Sequence, residues 1–464
     1  MRPRDEFLDY EPLRRTKPRA FTEDAPLRKP SPARPLEVKP EREAKPEREP
    51  KPLKETWIHK HGHTVSYIGV FLFTTIVFFR PYEFSPSLFW LSTSAFWIAV
   101  ATTIVYVVTQ LGLENKISAR PRELKLVLLL ALLGALSIPQ ASQPSRALTS
   151  WTTFLKVILI FIVIINVVRT EKRLKKLWIL VLIATCILSV SAIHDYQLGR
   201  FLLMGQRIKG AIGGLFDNPN DLALHLVTML PIALALCFGA RYVFTKIVYL
   251  VTSLLIVGGI VVTFSRGGFL ALVAVGGVLL WRMVRSSRWL IPPVGAVLIA
   301  GFIVFAPGVY KQRLSTTGDE SSMARFDDLK RSVYVATRHP ILGVGMDNYI
   351  LFSNSNKASH NAYTQVAAEI GAAAAILYIL FILAPFKGLR NIEHKSYEVQ
   401  SHRRYYYYAI ALQASLVGYM VASFFASVAY LWYIYYLVGY AVCLRRIYDA
   451  AVESDMALNS SSQA

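Results

Sequence analysis

From Thr64 to Cys443 the chain alternates long apolar runs with short polar breaks, and each run has roughly the 20-residue length a helix needs to cross the hydrocarbon core of a bilayer. The pattern predicts about 12 spanning helices, near 64–79, 88–111, 124–139, 151–168, 177–197, 219–239, 245–264, 267–284, 289–306, 360–385, 405–424 and 427–443. The expected fold class is an all-α integral membrane protein. One polar break is much longer than the rest: residues 307–359, between the ninth and tenth runs. Ahead of the first run, residues 1–62 are proline-rich and of mixed charge, as in KPEREAKPEREPKP (Lys39 to Pro52). Such a segment buries too little apolar surface to offset its ordering entropy, so a disordered tail is expected. It does not read as a secretory signal peptide, because no small-residue cleavage site follows the first apolar run. The chain thus divides into a tail over 1–62, a membrane domain over 63–447 and a short tail over 448–464.

Composition agrees with this reading. Hydrophobic residues make up 54% of the chain and the mean hydropathy is +0.39, more than a soluble globular protein carries. The net charge of +21 falls between apolar runs without the spacing of a nucleic-acid-binding motif, so it reads as topology and no nucleic-acid partner is expected. With the N-terminus in the cytoplasm every inside connection is basic, from Lys116/Arg120/Arg122 to Arg445/Arg446, which predicts both termini inside. Cys186, Cys237 and Cys443 lie in or at the end of apolar runs, as buried thiols do, and predict neither disulfides nor a metal site.

Three outside segments depart from the pattern by being long or charged: Gly199 to Asn218, Ser265-Arg266-Gly267-Gly268, and Pro307 to Ser359. Their cations include Arg207, Arg266 and Arg325. A basic outer face calls for an anionic partner, and at a membrane surface phosphate suits guanidinium groups, which bind its oxygens bidentately and stay charged. Arg266 follows an apolar run and precedes two glycines that permit close approach; the competing explanation is an arginine snorkelling to the interface. In the stretch from Gly210 to Asp221, flexible glycines precede Asn218, Asn220 and Asp221, which are candidate substrate-binding residues; Pro219 suits a helix start, and Asn218 suits its cap.

Within the long break, Met323 to Arg338 puts Phe326, Leu329 and Val333 on one face of an amphipathic helix lying on the outer membrane surface. His339-Pro340 ends it, and Gly343 to Asn348 reads as a tight turn before an extended stretch. Asp327 and Asp328 are adjacent, so on a helix they diverge and do not suggest a metal site. His360 and Asn361 then open the next apolar run. A histidine near neutrality can take a proton from a hydroxyl, and its place beside the arginine set makes a catalytic role the favoured reading.

Taken together, HNAYTQVAAEIG (His360 to Gly371), SRGG (Ser265 to Gly268), DNPNDLA (Asp217 to Ala223) and HPILGVGMDNY (His339 to Tyr349) resemble the O-antigen ligase and polymerase superfamily, Wzy_C. The resemblance runs from roughly Gly205 to Leu383 and departs from the ligase pattern at Ala374, where Gly, Thr or Tyr is usual. It implies a membrane glycosyltransferase in the bacterial inner membrane, working at the periplasmic face on an undecaprenyl-diphosphate-linked glycan donor and a glycolipid or glycan acceptor. No cofactor is implied. Arg266 would hold the diphosphate, with Arg207 and Arg325 as further candidates, and His360 would take the acceptor proton with inversion at the anomeric carbon. Asn361 would orient the histidine or a sugar hydroxyl. Ligase and polymerase stay open as alternatives. A secondary transporter also fits about 12 spans, but the sequence shows no repeated halves and its outer charges cluster at one membrane face. A non-catalytic scaffold would rest on the N-terminal tail.

Overall fold

The structure, a computed structural model, describes residues 57–84, 86–114, 118–200, 202–203, 207–208, 210, 216, 218–283, 320–353 and 356–461. These are almost wholly helical: α1 (Trp57–Phe79), α2 (Pro81–Phe84), α3 (Ser94–Glu114), α4 (Arg122–Leu136), α5 (Pro144–Val167), α6 (Glu171–Gln197), α7 (Pro219–Gly239), α8 (Val243–Val262), α9 (Arg266–Met283), α10 (Glu320–Arg338), α11 (Ala362–Glu369), α12 (Ala372–Glu398), α13 (Arg403–Ala422) and α14 (Trp432–Ser461). Leu202–Leu203 and Arg207–Ile208 form a two-residue antiparallel pair, β1 and β2.

Among the described residues nine helices, some with flanking turns, are long and apolar enough to cross a membrane: α1, α3, α5, α6, α7, α8, α9, α12 and α13. The sequence pattern predicts about 12, and the difference has three sources. α4 has 15 residues and spans roughly 22 Å, short of the hydrocarbon thickness. α14 runs on through Arg445, Arg446 and Asp449 to Ser461, so its apolar stretch is diluted by charge, and a helix occupies most of the segment read as a C-terminal tail. The expected run 289–306 lies outside the described residues, as do the tail up to residue 56 and the loop portion 307–319. The expected run 360–385 is not one helix; it breaks at Ile370-Gly371 into α11 and α12. Residues 57–62, read as the end of the tail, begin α1.

The interior of the bundle is built on α7, α13 and α14. α7 is apolar on every side, which suits a helix surrounded by other helices, and it packs chiefly on α8 and α13. The tyrosine-rich segments of α13 and α14 lie inside, where several of their hydroxyls find partners: Tyr378 and Tyr419 share a bond of 2.7 Å, Tyr436 and Thr74 one of 3.0 Å. Two charged groupings bolt helix ends together. Arg445 on α14 holds the buried Glu123 of α4 through two bonds, 3.0 and 3.2 Å. Arg282 on α9 reaches Glu393 on α12 at 3.1 Å, and Gln413 on α13 donates to the same carboxylate at 3.0 Å.

The α11–α12 break follows from Gly371, whose φ is +103° and where a Cβ would fall 2.4 Å from the Ile341 carbonyl oxygen. A side chain has no room there and disfavours the backbone angle. Gly371→Ala is therefore expected to cost roughly 2–3 kcal/mol, read as a fall in Tm of the detergent-purified protein; an unchanged Tm would remove the break from the account of the fold.

Candidate active site

The turn between α8 and α9 carries Arg266. Thr263 Oγ1 donates to the Ile260 carbonyl at 2.7 Å and closes α8, Phe264 takes a left-handed φ of 49°, and Ser265 Oγ accepts from Gly268 N–H at 3.1 Å to cap α9. The same hydroxyl donates to Asn220 Oδ1 at 2.8 Å, tying the turn to the first turn of α7. A Cβ on Gly268 would lie 2.6 Å from Ala223 Cβ and one on Gly267 2.8 Å from Phe425. The two glycines thus let α9 start wedged between α7 and Phe425, with Arg266 at its positive N-terminal end.

The other wall rises from α10 and α11. Asn361 Oδ1 caps α11 by accepting from Tyr363 and Thr364 N–H at 2.9 and 3.0 Å. Ser332 on α10 bonds Thr364 at 2.9 Å, Tyr363 donates to the Met420 carbonyl at 2.9 Å, and Tyr349 donates to the Asp328 carbonyl at 3.0 Å. At the other end of α11, Val344 and Gly345 N–H groups bond the Ala368 and Glu369 carbonyls at 2.9 and 2.8 Å. The turn that supplies those amides is itself anchored to the α4–α5 connection, where Asn348 Oδ1 accepts from Gln143 N–H at 2.8 Å and Arg146 pairs with Asp347 at 2.8 Å. Beyond that turn, Tyr349–Phe352 forms a 3-10 turn in place of the expected extended stretch. On α10, Asp328, Ser332 and Val335 are buried against the protein, while Phe326 and Val333 of the expected apolar face are exposed.

Between these walls lies a cavity of about 250 Å³ lined by Arg266, Arg325, Phe326, Leu329, Ser359, His360, Asn361, Phe424 and Phe425. Four residues singled out from the sequence thus meet at one place. His360 is held at a left-handed φ of 53°, a costly conformation for a residue with a Cβ. Burial lowers the proton affinity of its imidazole; Arg325 and Lys357 lower it further, and Asp328 partly offsets them. Neutral His360 is therefore the stable form at pH 7. Asn361 is buried, and its Nδ2 has no hydrogen-bond partner among the described residues, a donor left for a ligand oxygen at the cavity.

The remaining candidates stand elsewhere. Asn220 supports the Arg266 turn from behind, Asn218 caps α7 by accepting from Asn220 N–H at 2.9 Å, and Asp221 acts electrostatically on Tyr433 of α14. Arg207 pairs with Leu203 through its backbone in β2; its side chain lies outside the described residues. Ala374 is fully buried in α12 and does not line the cavity, so the departure from the ligase pattern falls on a packing position. The sequence reading missed Phe424 and Phe425; an aromatic pair where one apolar run ends was the available signal.

Burial pushes the Glu369 carboxyl, at the end of α11, up to about 8. A carboxyl raised on folding adds stability that is full below its unfolded value and is lost as pH rises through its folded one. Between about pH 4.5 and 8, Tm of the wild type is expected to fall relative to Glu369→Gln; parallel Tm curves would show that Glu369 is ionised in the fold. No curated protein matches this chain. Residues 251–379 match the family described as O-antigen ligase, Wzy_C, a span that holds every cavity residue except Phe424 and Phe425, and this match supports the resemblance to the O-antigen ligase and polymerase family.

Proposed function

We propose that the Arg266–His360 cavity transfers a glycan from an undecaprenyl-diphosphate carrier to an acceptor hydroxyl, as an O-antigen ligase-type glycosyltransferase of the bacterial inner membrane with both termini cytoplasmic and the cavity facing the periplasm. The observation that carries this reading is the convergence of two guanidinium groups, a neutral histidine and an unsatisfied amide donor on one partly apolar cavity. The acceptor oxygen attacks the anomeric carbon from the face opposite the diphosphate. The bond from that carbon to the diphosphate oxygen breaks, its electron pair leaving with the diphosphate. Arg266, helped by the N-terminal end of α9 and by Arg325, takes up the leaving group's charge. A neutral ring nitrogen of His360 takes the hydroxyl proton, and backside attack inverts the anomeric centre. Lining phenylalanines exclude water that would otherwise compete as acceptor.

Arg325 has two effects in this scheme. In the free enzyme it depresses the basicity of His360; a bound diphosphate would neutralise it and restore that basicity when a base is needed. In transfer assays with purified protein and EDTA, His360→Ala is expected to lose about 10²–10⁴-fold in rate and Arg266→Ala about 10²–10³-fold, and full activity in either variant would remove that residue from the reaction. Because the neutral base acts above its pKa, which burial lowers from the ordinary imidazole value, kcat/KM is expected to hold as pH falls through that ordinary value and to drop only on its acid side, with the acid limb of kcat at higher pH than that of kcat/KM. Coincident limbs would remove the charge coupling. Asn361→Asp keeps the helix cap and is expected to keep Tm while raising KM, since only the Nδ2 donor is lost; a lowered Tm at unchanged KM would make Asn361 a cap alone. Product length separates the subclasses: a single addition to core glycolipid marks a ligase, a ladder of lipid-linked products a polymerase.

A further inference from the structure

A second and larger cavity, of about 960 Å³, lies at the opposite end of α7 from the Ser265 turn, among the end of α7, the start of α8 and the start of α13. Arg241, Lys246, Arg403 and Arg404 line it, and no carboxylate does among the described residues. Of these four cations, Arg404 alone has an acidic partner among the described residues, Glu171 at 3.2 Å. Phe238 and Tyr407, stacked at 5.8 Å, form one wall. The first turns of α8 and α13 lack side-chain caps, so both present the positive ends of their dipoles at this level. Positive-inside topology explains why this end of the bundle is basic, but not why cations from three separate segments gather around one hollow, where they repel one another unless an anion sits between them.

We infer that this cavity binds the phosphate headgroup of an anionic phospholipid, with acyl chains lying along α8. Arginine and lysine around a pocket between membrane helices match phosphate oxygens. A free phosphate would leave unused the outer face of α8, the helix that supplies Lys246: Phe244, Ile247, Val251 and Leu254, spaced three or four residues apart, are 77%, 52%, 48% and 63% exposed, an apolar stripe on that helix. The hollow is larger than one phosphate requires, which favours a lipid with two phosphates, such as a diphosphatidylglycerol. This site is independent of the reaction at the Arg266 cavity.

The test uses the full-length protein in detergent, with Tm and native mass spectrometry as readouts, titrated with diphosphatidylglycerol, phosphatidylcholine or inorganic phosphate. Diphosphatidylglycerol is expected to raise Tm and remain bound in the gas phase, while phosphatidylcholine and inorganic phosphate do neither. The triple variant Arg241→Gln/Lys246→Gln/Arg403→Gln should bind it about 100-fold more weakly. A control triple, Lys172→Gln/Lys387→Gln/Arg390→Gln, removes three exposed cations that do not line the cavity and should keep wild-type affinity. Equal losses in the two triples, or no response of the wild type, would overturn the site, and an equal response to inorganic phosphate would overturn its assignment to a lipid.

Discussion

The site depends on how the short helix α11 is held. Eight residues make a helix too short to persist alone, so its position is set from outside: Asn361 caps its start, and the amides of Val344 and Gly345 take the carbonyls at its end. Those amides belong to a turn anchored on the α4–α5 connection, and α12 can depart at a new angle only because Gly371 takes a backbone conformation closed to other residues. His360 and Asn361 thus sit where distant parts of the chain agree. The left-handed φ of His360 persists because both sides of it are fixed by bonds the fold has already made.

The opposite wall follows the same logic. Phe264 in a left-handed conformation and two glycines in contact distance of α7 and Phe425 bring the N-terminal end of α9 to the cavity with Arg266 on it. The macrodipole and the guanidinium add at one point, a strong arrangement for holding an anion at a membrane surface. The cost of gathering positive charge is met partly by Asp328. α7, α13 and α14 form the buried interior of the bundle. Their tyrosine hydroxyls and the Glu123–Arg445 and Arg282–Glu393–Gln413 groupings satisfy polar groups inside a medium that offers no water to do so.

The coarse architecture was legible because hydrocarbon thickness imposes a minimum length and an apolar composition that composition windows detect. Where that constraint relaxes, fewer crossings stand out among the described residues than the sequence pattern predicts. α4 is shorter than a crossing, α14 trades apolar residues for tyrosine and charge because it faces protein, and the run from His360 is broken by a glycine whose role depends on Ile341 rather than on its own neighbours. On α10, the burial of Asp328 and Ser332 was not legible, because the bonds from Tyr349 and Thr364 that hold them come from 21 and 32 positions away.

By itself the sequence determined that the chain is a multi-helix membrane protein with cations and a histidine at one boundary level, since period, length and residue type are local properties. It also singled out Arg266, Arg325, His360 and Asn361 by chemistry. Only the tertiary structure decided that these four share one cavity, that Asn218 and Asn220 support it from behind, and that Phe424 and Phe425 complete it. Contacts across 45 residues, as between Asn220 and Ser265, or 57, as between Tyr363 and Met420, depend on how helices pack, and packing is a property of all the surfaces together.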